Sequence, residues 1–231
     1  MRKSRDPRRG LWREVAEIKV VVRGWHCPNG DDDKWVEFAE RFLRNRVEVL
    51  NKDVAICLKR TRGTHAYFPA LVICIAFADL LSGLYAGKLK GQRVEPIRRY
   101  AAKFMKNEYT SDPRGLDILY KFLRNKIAHL AYPNPFAMVT KPGQPKQRVS
   151  WKLNASRHRP AIKVRDYPAP KSLLKETVKP WPVSYDCRIE VSVRNFHSDI
   201  VSSISKYLCH LQSDRTAQAH FAKCMIDYFS R

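Results

Sequence analysis

Acidic residues are scarce: 22 Asp and Glu stand against 44 Lys and Arg, leaving a formal charge of +22. An imbalance of that size calls for a polyanionic partner, nucleic acid first and an anionic membrane surface second. Ordered cysteines are also missing. The six Cys, at 27, 57, 74, 187, 209 and 224, show neither CxxC spacing nor regular pairing, so neither a zinc site nor a disulfide framework is expected. Cys57, Cys74, Cys209 and Cys224 fall within apolar helical patterns and read as reduced core thiols of a cytoplasmic protein. No apolar stretch follows the basic arm Met1–Gly10, so a secretory signal is not expected, and no internal repeat is present. One apolar run, Ala66–Gly87, is long enough to span a bilayer. It carries Asp79 near its middle, where an ionisable group is costly, and no second span accompanies it. A central core helix, apolar all round, is the better account, and no membrane span is expected.

The 231 residues are 44% hydrophobic, which excludes global disorder and is enough to bury a sizeable core. Residues 1–30 form a basic arm; EIKVVVR within it reads as a short strand, and whether the arm is folded or disordered stays open. Residues 31–134 read as a run of helices. The first extends from about Asp33 to Lys59, with Trp35, Phe38, Phe42, Val49 and Ile56 as its apolar stripe. Ala66–Gly87 is the second. Arg93–Lys106 is the third, with Pro96 in its first turn and Val94, Ile97, Tyr100 or Ala101, and Phe104 facing inward. The fourth is Leu116–Tyr132, bounded by Pro113 and Gly115 before it and Pro133 after it. Short connections between four helices predict a four-helix bundle.

Residues 135–193 change character. Phe136–Thr140 and Arg148–Leu153 flank KPGQPKQ as a hairpin, and Ala161–Arg165 and Cys187–Val193 read as further strands. Between Lys141 and Lys179 eleven Lys and Arg face only Asp166 and Glu176, a net of +9. Trp151, Tyr167 and Trp181 lie in or beside this stretch. Basic and aromatic residues together suit RNA backbone contact and base stacking, with Arg157, Arg159, Lys163 and Arg165 as the expected contacts. A solvated excursion whose aromatics pack on the helices is an equal alternative. Residues 194–231 add two amphipathic helices, Asn195–Leu211 and Arg215–Phe229. Their apolar faces are Ile200, Ile204, Leu208 and Leu211, then Phe221, Met225, Ile226 and Phe229. His197, His210 and His220 read as surface or cap residues. The fold class is thus mainly α, with a small β-rich insertion and two C-terminal helices packed on the bundle.

The fourth helix, LDILYKFLRNKIAHLAY, has two apolar faces. Leu116, Leu119, Tyr120, Leu123, Ile127 and Leu130 share one; Ile118 and Phe122 lie nearly opposite, with Asn125 and His129 beside them. A second face needs a cover, and a second copy of the chain is the first candidate. Arg followed by His five positions on occurs three times, at Arg60–His65, Arg124–His129 and Arg215–His220. The first crosses Gly63, and the third sits on a plain amphipathic helix. Only the middle one combines Arg-Asn, a strong helix and a second apolar face. That segment, FLRNKIAHLAYP, resembles the signature of the HEPN superfamily (higher eukaryote and prokaryote nucleotide-binding domains). The resemblance implies a helical bundle that dimerises around the motif and, in catalytic members, cleaves RNA without a metal. Residue by residue, it assigns Arg124 and His129 to the active site and Asn125 to positioning them. Many toxin members carry a Tyr two residues after the His; here Ala131 holds that place and Tyr132 follows.

The expected chemistry is cleavage of RNA to a 2′,3′-cyclic phosphate and a 5′-OH end, with no cofactor and no metal. His129, with an ordinary pKa of about 6.5, suits either proton transfer, and Arg124 can clamp the phosphate through two hydrogen bonds. One His cannot be acid and base at once, so a homodimer joining two motifs across Ile118 and Phe122 would complete the site. Asp79 and Tyr132 are supporting candidates. For Asp79, a structural ion pair and a role in orienting Arg124 or His129 are both open. Alternatives are a non-catalytic RNA- or nucleotide-binding module, and a toxin or antiviral effector held inactive by an antitoxin or regulatory protein.

Overall fold

A computed structural model describes residues 32–59, 66–89, 94–120, 137–139, 147–158, 160–173 and 183–229. Helix α1 (Asp32–Leu58) buries Trp35, Phe38, Ala39, Phe42, Leu43, Leu50 and Val54. Its outer face carries the i,i+4 pairs Glu40–Arg44 and Glu48–Lys52. Two stripe residues expected inside are outside: Val49 is 45% exposed and Ile56 72%. A strict seven-residue series falls back about 20° per heptad on a straight helix. The real seam, through Ala39, Leu43, Leu50 and Val54, therefore leaves that series behind.

Helix α2 (Tyr67–Ala86) is central, packing against α1 and against the later helices and sheet. It is long and apolar enough to cross a membrane, and more than half of it is buried inside the chain. It stops at Gly87, whose φ of +70° suits glycine. There the amides of Gly87 and Lys88 bond back to Leu84 and Gly83 at 3.4 and 3.0 Å, satisfying the end carbonyls. Helix α3 (Val94–Phe104) buries Ile97, Tyr100, Ala101 and Phe104 as its periodicity predicts. The single turn α4 (Glu108–Ser111) leads to α5, described over residues 113–120.

The sheet holds β1 (Ala137–Val139), β2 (Gln147–Asn154), β3 (Ile162–Leu173) and β4 (Val183–Ser192) in the order β1-β2-β4-β3. The β1/β2 pair is antiparallel, with Ala137 opposite Val149, as the hairpin pattern predicts. β2 and β4 run parallel, and β3 takes the far edge, antiparallel to β4. The β3 register shifts between Asp166 and Lys171, around Pro168 and Pro170, which a central strand would not accept. Alternation sends Val149, Cys187, Ile189 and Val191 into the same hydrophobic core as the helices.

β4 passes directly into α6 (Val193–Ser213), with the Ser192 hydroxyl accepting from the Asn195 amide as N-cap. Helix α7 (Arg215–Phe229) closes the chain, its Phe221 edge-on to Trp35, Phe38 and Phe42 of α1. Both helices pack on α1 and α2. The buried carboxylate of Asp199 on α6 accepts from the Tyr109 hydroxyl at 2.8 Å and lies 3.4 Å from Lys106 Nζ, tying α4 to α6. Ile226 is part-exposed and Cys209 exposed, whereas Cys224 and Cys187 occupy core positions. Burial pushes the Cys74 and Cys224 thiols up to about 12, making them inert packing groups. The molecule is mainly helical with one small sheet, and helices and sheet share one core.

Candidate functional site

Arg124, Asn125, His129, Tyr132 and Phe122 lie outside the described residues, as do Arg159 and Trp181. The structure does describe α5, which precedes them in sequence. Residues 113–120 bury Gly115, Leu116, Ile118, Leu119 and Tyr120. Gly115 touches β3 so closely that a Cβ there would lie 2.6 Å from Ile162 Cγ2.

Polar side chains at three-residue intervals hold this helix from three directions. Arg114 forks onto Asp166 of β3 at 2.6 and 2.7 Å and reaches Gln147 of β2 at 3.0 Å. Asp117 receives both arms of Arg98 from α3, and the hydrogen bond to Asp117 raises the Arg98 pKa. Tyr120 donates to Asp79 of α2 at 2.6 Å. The part-buried bonds to Asp117 and Asp79 contribute about 1.5–3 kcal/mol each, the exposed Arg114–Asp166 pair about 0–1 kcal/mol. Asp79 is half-buried and meets the Tyr120 phenol at the last described residue of α5.

Ile118 corrects the expectation of a dimer contact. It is 2% exposed within its own chain, packed among Phe68, Leu71, Trp151 and Leu153 between α2 and β2. The sheet covers the second apolar face at this position, so no partner copy is needed there. Trp151 is likewise turned inward, its ring 6.2 Å from that of Phe68. Tyr167 stands edge-on to Tyr185 at 5.5 Å. Of these aromatics Trp151 packs on a helix and Tyr167 on the sheet.

Strand alternation places Arg148, Lys152, Lys163, Arg165 and Arg188 on the sheet face opposite the core, together with Asp186 and Glu190. Lys163 and Arg165 are exposed, and Arg157 is exposed just beyond β2. Arg165 is partly neutralised by Glu190 at 3.3 Å, and Arg148 by Asp186 at 3.7 Å. Arg188 donates to the Tyr185 hydroxyl at 2.8 Å. Arg148, Lys152 and Arg188 were missed as members of this face. The period of two in Arg148-x-x-x-Lys152 carried the signal. No family model, no curated protein and no solved structure matches the chain.

Proposed function

We propose that the chain is a HEPN-like, metal-independent endoribonuclease of the cytoplasm. In this reading α1, α2, α3 and the motif helix form the bundle, with α6 and α7 packed upon it. Arg124 binds the scissile phosphate, His129 moves the proton and Asn125 positions the pair. The observation that carries the reading is the sequence Arg-Asn-x3-His at 124–129, which follows in sequence a helix fixed to sheet, α3 and α2 by Arg114, Asp117 and Tyr120. Proton transfer demands groups held to a fraction of an ångström, and the anchoring of α5 at Arg114, Asp117 and Tyr120 supports the reading.

The exposed cations on the outer sheet face support RNA as substrate, since backbone charge dominates nucleic-acid affinity. A homodimer supplies the second histidine. With Ile118 covered by its own sheet, the contact falls to Phe122, Asn125 and His129. Incubating purified protein with a defined RNA in EDTA tests the assignment: the account expects cuts ending in 2′,3′-cyclic phosphate and 5′-OH. RNA that is bound but left whole would make the chain a binding module instead.

A further inference from the structure

Beside the turn joining α6 to α7 lies a pocket of about 230 Å³, smaller than the roughly 300–1,000 Å³ that takes a drug-sized ligand. Arg99 and Lys103 reach it from α3, His210 from the last turn of α6 and His220 from α7. Among the described residues Asp214 is the one carboxylate lining it.

Lys103 Nζ lies 2.9 Å from His210 Nε2. An ammonium can only donate, so toward Lys103 that nitrogen is the acceptor. Burial, then the Lys103 charge, hold the His210 pKa below its ordinary value, with Asp214 opposing them. Asp214 Oδ2 stands 3.3 Å from the same Nε2, while Oδ1 accepts from the Ala217 amide at 3.0 Å and caps α7. His220 Nδ1 lies 3.0 Å from the Tyr85 carbonyl, which can only accept, so Nδ1 carries a proton there. The same ring rests on Gly87, where a Cβ would come 2.8 Å from His220 Cδ2. Both imidazoles are therefore set in place by contacts from other elements, and each becomes a donor at Nε2 on protonation.

We propose that this pocket binds a phosphate monoester, with Lys103 and Arg99 supplying charge and His210 and His220 directed hydrogen bonds. A phosphoryl dianion is satisfied by several converging donors; the Lys103 ammonium and Arg99 guanidinium provide them, and each imidazole adds one at Nε2 when it takes up a proton with the bound dianion. The pocket's size admits the phosphate and leaves the rest of the ligand outside. A mononucleotide and the 5′-phosphate end of an RNA carry the same group. The site shares no residue with the proposed cleavage motif.

The test follows the imidazole nitrogen resonances of His210 and His220 during titration of the full chain. The probes are inorganic phosphate, adenosine 5′-monophosphate, adenosine, and an RNA hexamer with or without a 5′-phosphate. Phosphate-bearing probes should move both histidines, and adenosine and the 5′-hydroxyl hexamer should not. A tighter response to the phosphorylated hexamer than to the mononucleotide identifies the RNA end as the source, and the reverse order identifies the free nucleotide. Arg99→Gln with Lys103→Gln should weaken binding at least tenfold. Both side chains are exposed, and the single variant Arg99→Gln, expected to lose about threefold, keeps the test decidable if the pair misfolds. His129→Ala should bind as wild type, separating this site from the cleavage reading. Equal shifts with adenosine, or unchanged phosphate affinity in the charge variants, would overturn the proposal.

Discussion

Gly115→Ala reports directly on how the motif helix sits against the sheet. A methyl there would lie 2.6 Å from Ile162 Cγ2 and 3.5 Å from Val164 Cγ2. Carbon atoms rest about 3.5–4.0 Å apart, so a displacement of about 1 Å is required. Ile162 is β-branched and stiff about χ1, so its methyl cannot swing aside freely, and overpacking of this kind costs about 1–3 kcal/mol. Alanine in a helix regains about 1 kcal/mol over glycine. The net expectation is a loss of about 1 kcal/mol. In an Ile162→Ala background the collision is gone, and Gly115→Ala should stabilise by about 0.5–1 kcal/mol. Urea unfolding of the four proteins measures this change of sign. Stabilisation by Gly115→Ala of equal size in both backgrounds would refute the packing.

Tyr120→Phe removes the donor to Asp79 and should cost about 1–2 kcal/mol in urea unfolding; a change below about 0.3 kcal/mol would deny that contact a role. Burial lowers the His197 pKa, so below a pH of about 6.5 the unfolded chain takes up a proton that the folded chain refuses. Stability should therefore fall as pH drops from 7.5 to 5.5, and His197→Gln should flatten that slope; an unchanged slope contradicts it. Reversing Arg157, Lys163 and Arg165 to Glu should weaken RNA binding and flatten its salt dependence, each lost phosphate contact removing about 0.7 from the log–log slope. Lys152 and Arg188 share that face with Lys163 and Arg165, so an unchanged slope would place RNA elsewhere. Phe122→Asp should convert a dimer to monomer in light scattering, and a wild-type monomer at high concentration would remove the two-fold site.

Helices were legible wherever local signals agreed. α3 shows it best: Pro96 marks its first turn, and Ile97, Tyr100, Ala101 and Phe104 are the residues it buries. The β1/β2 hairpin was legible for the same reason, its two runs lying close in sequence. Long-range arrangement was not. Parallel pairing of β2 with β4, around an edge strand lying between them in sequence, leaves no local trace. That arrangement is what covers Ile118, expected at a partner contact, and it decides between the two readings of Trp151 by turning it inward. Val49 and Ile56 misled because a seven-residue spacing resembles a helical seam over one turn pair and departs from it over three. His210 and His220 read as surface or cap residues. Only the meeting of α3, α6 and α7 makes them neighbours of Lys103 and Arg99. Arg124 and His129 were legible as a motif, and the structure adds the anchoring of α5, which precedes them in sequence.

Cleavage and binding by His129→Ala, measured side by side with wild type, test the central claim most directly. Proton transfer needs the imidazole, whereas affinity rests on dispersed Lys and Arg. The account predicts that wild type cuts a defined RNA in EDTA, leaving 2′,3′-cyclic phosphate ends, while the variant binds the same RNA within about twofold and leaves it whole. A variant that cuts at the wild-type rate, or a wild type that never cuts, would contradict it.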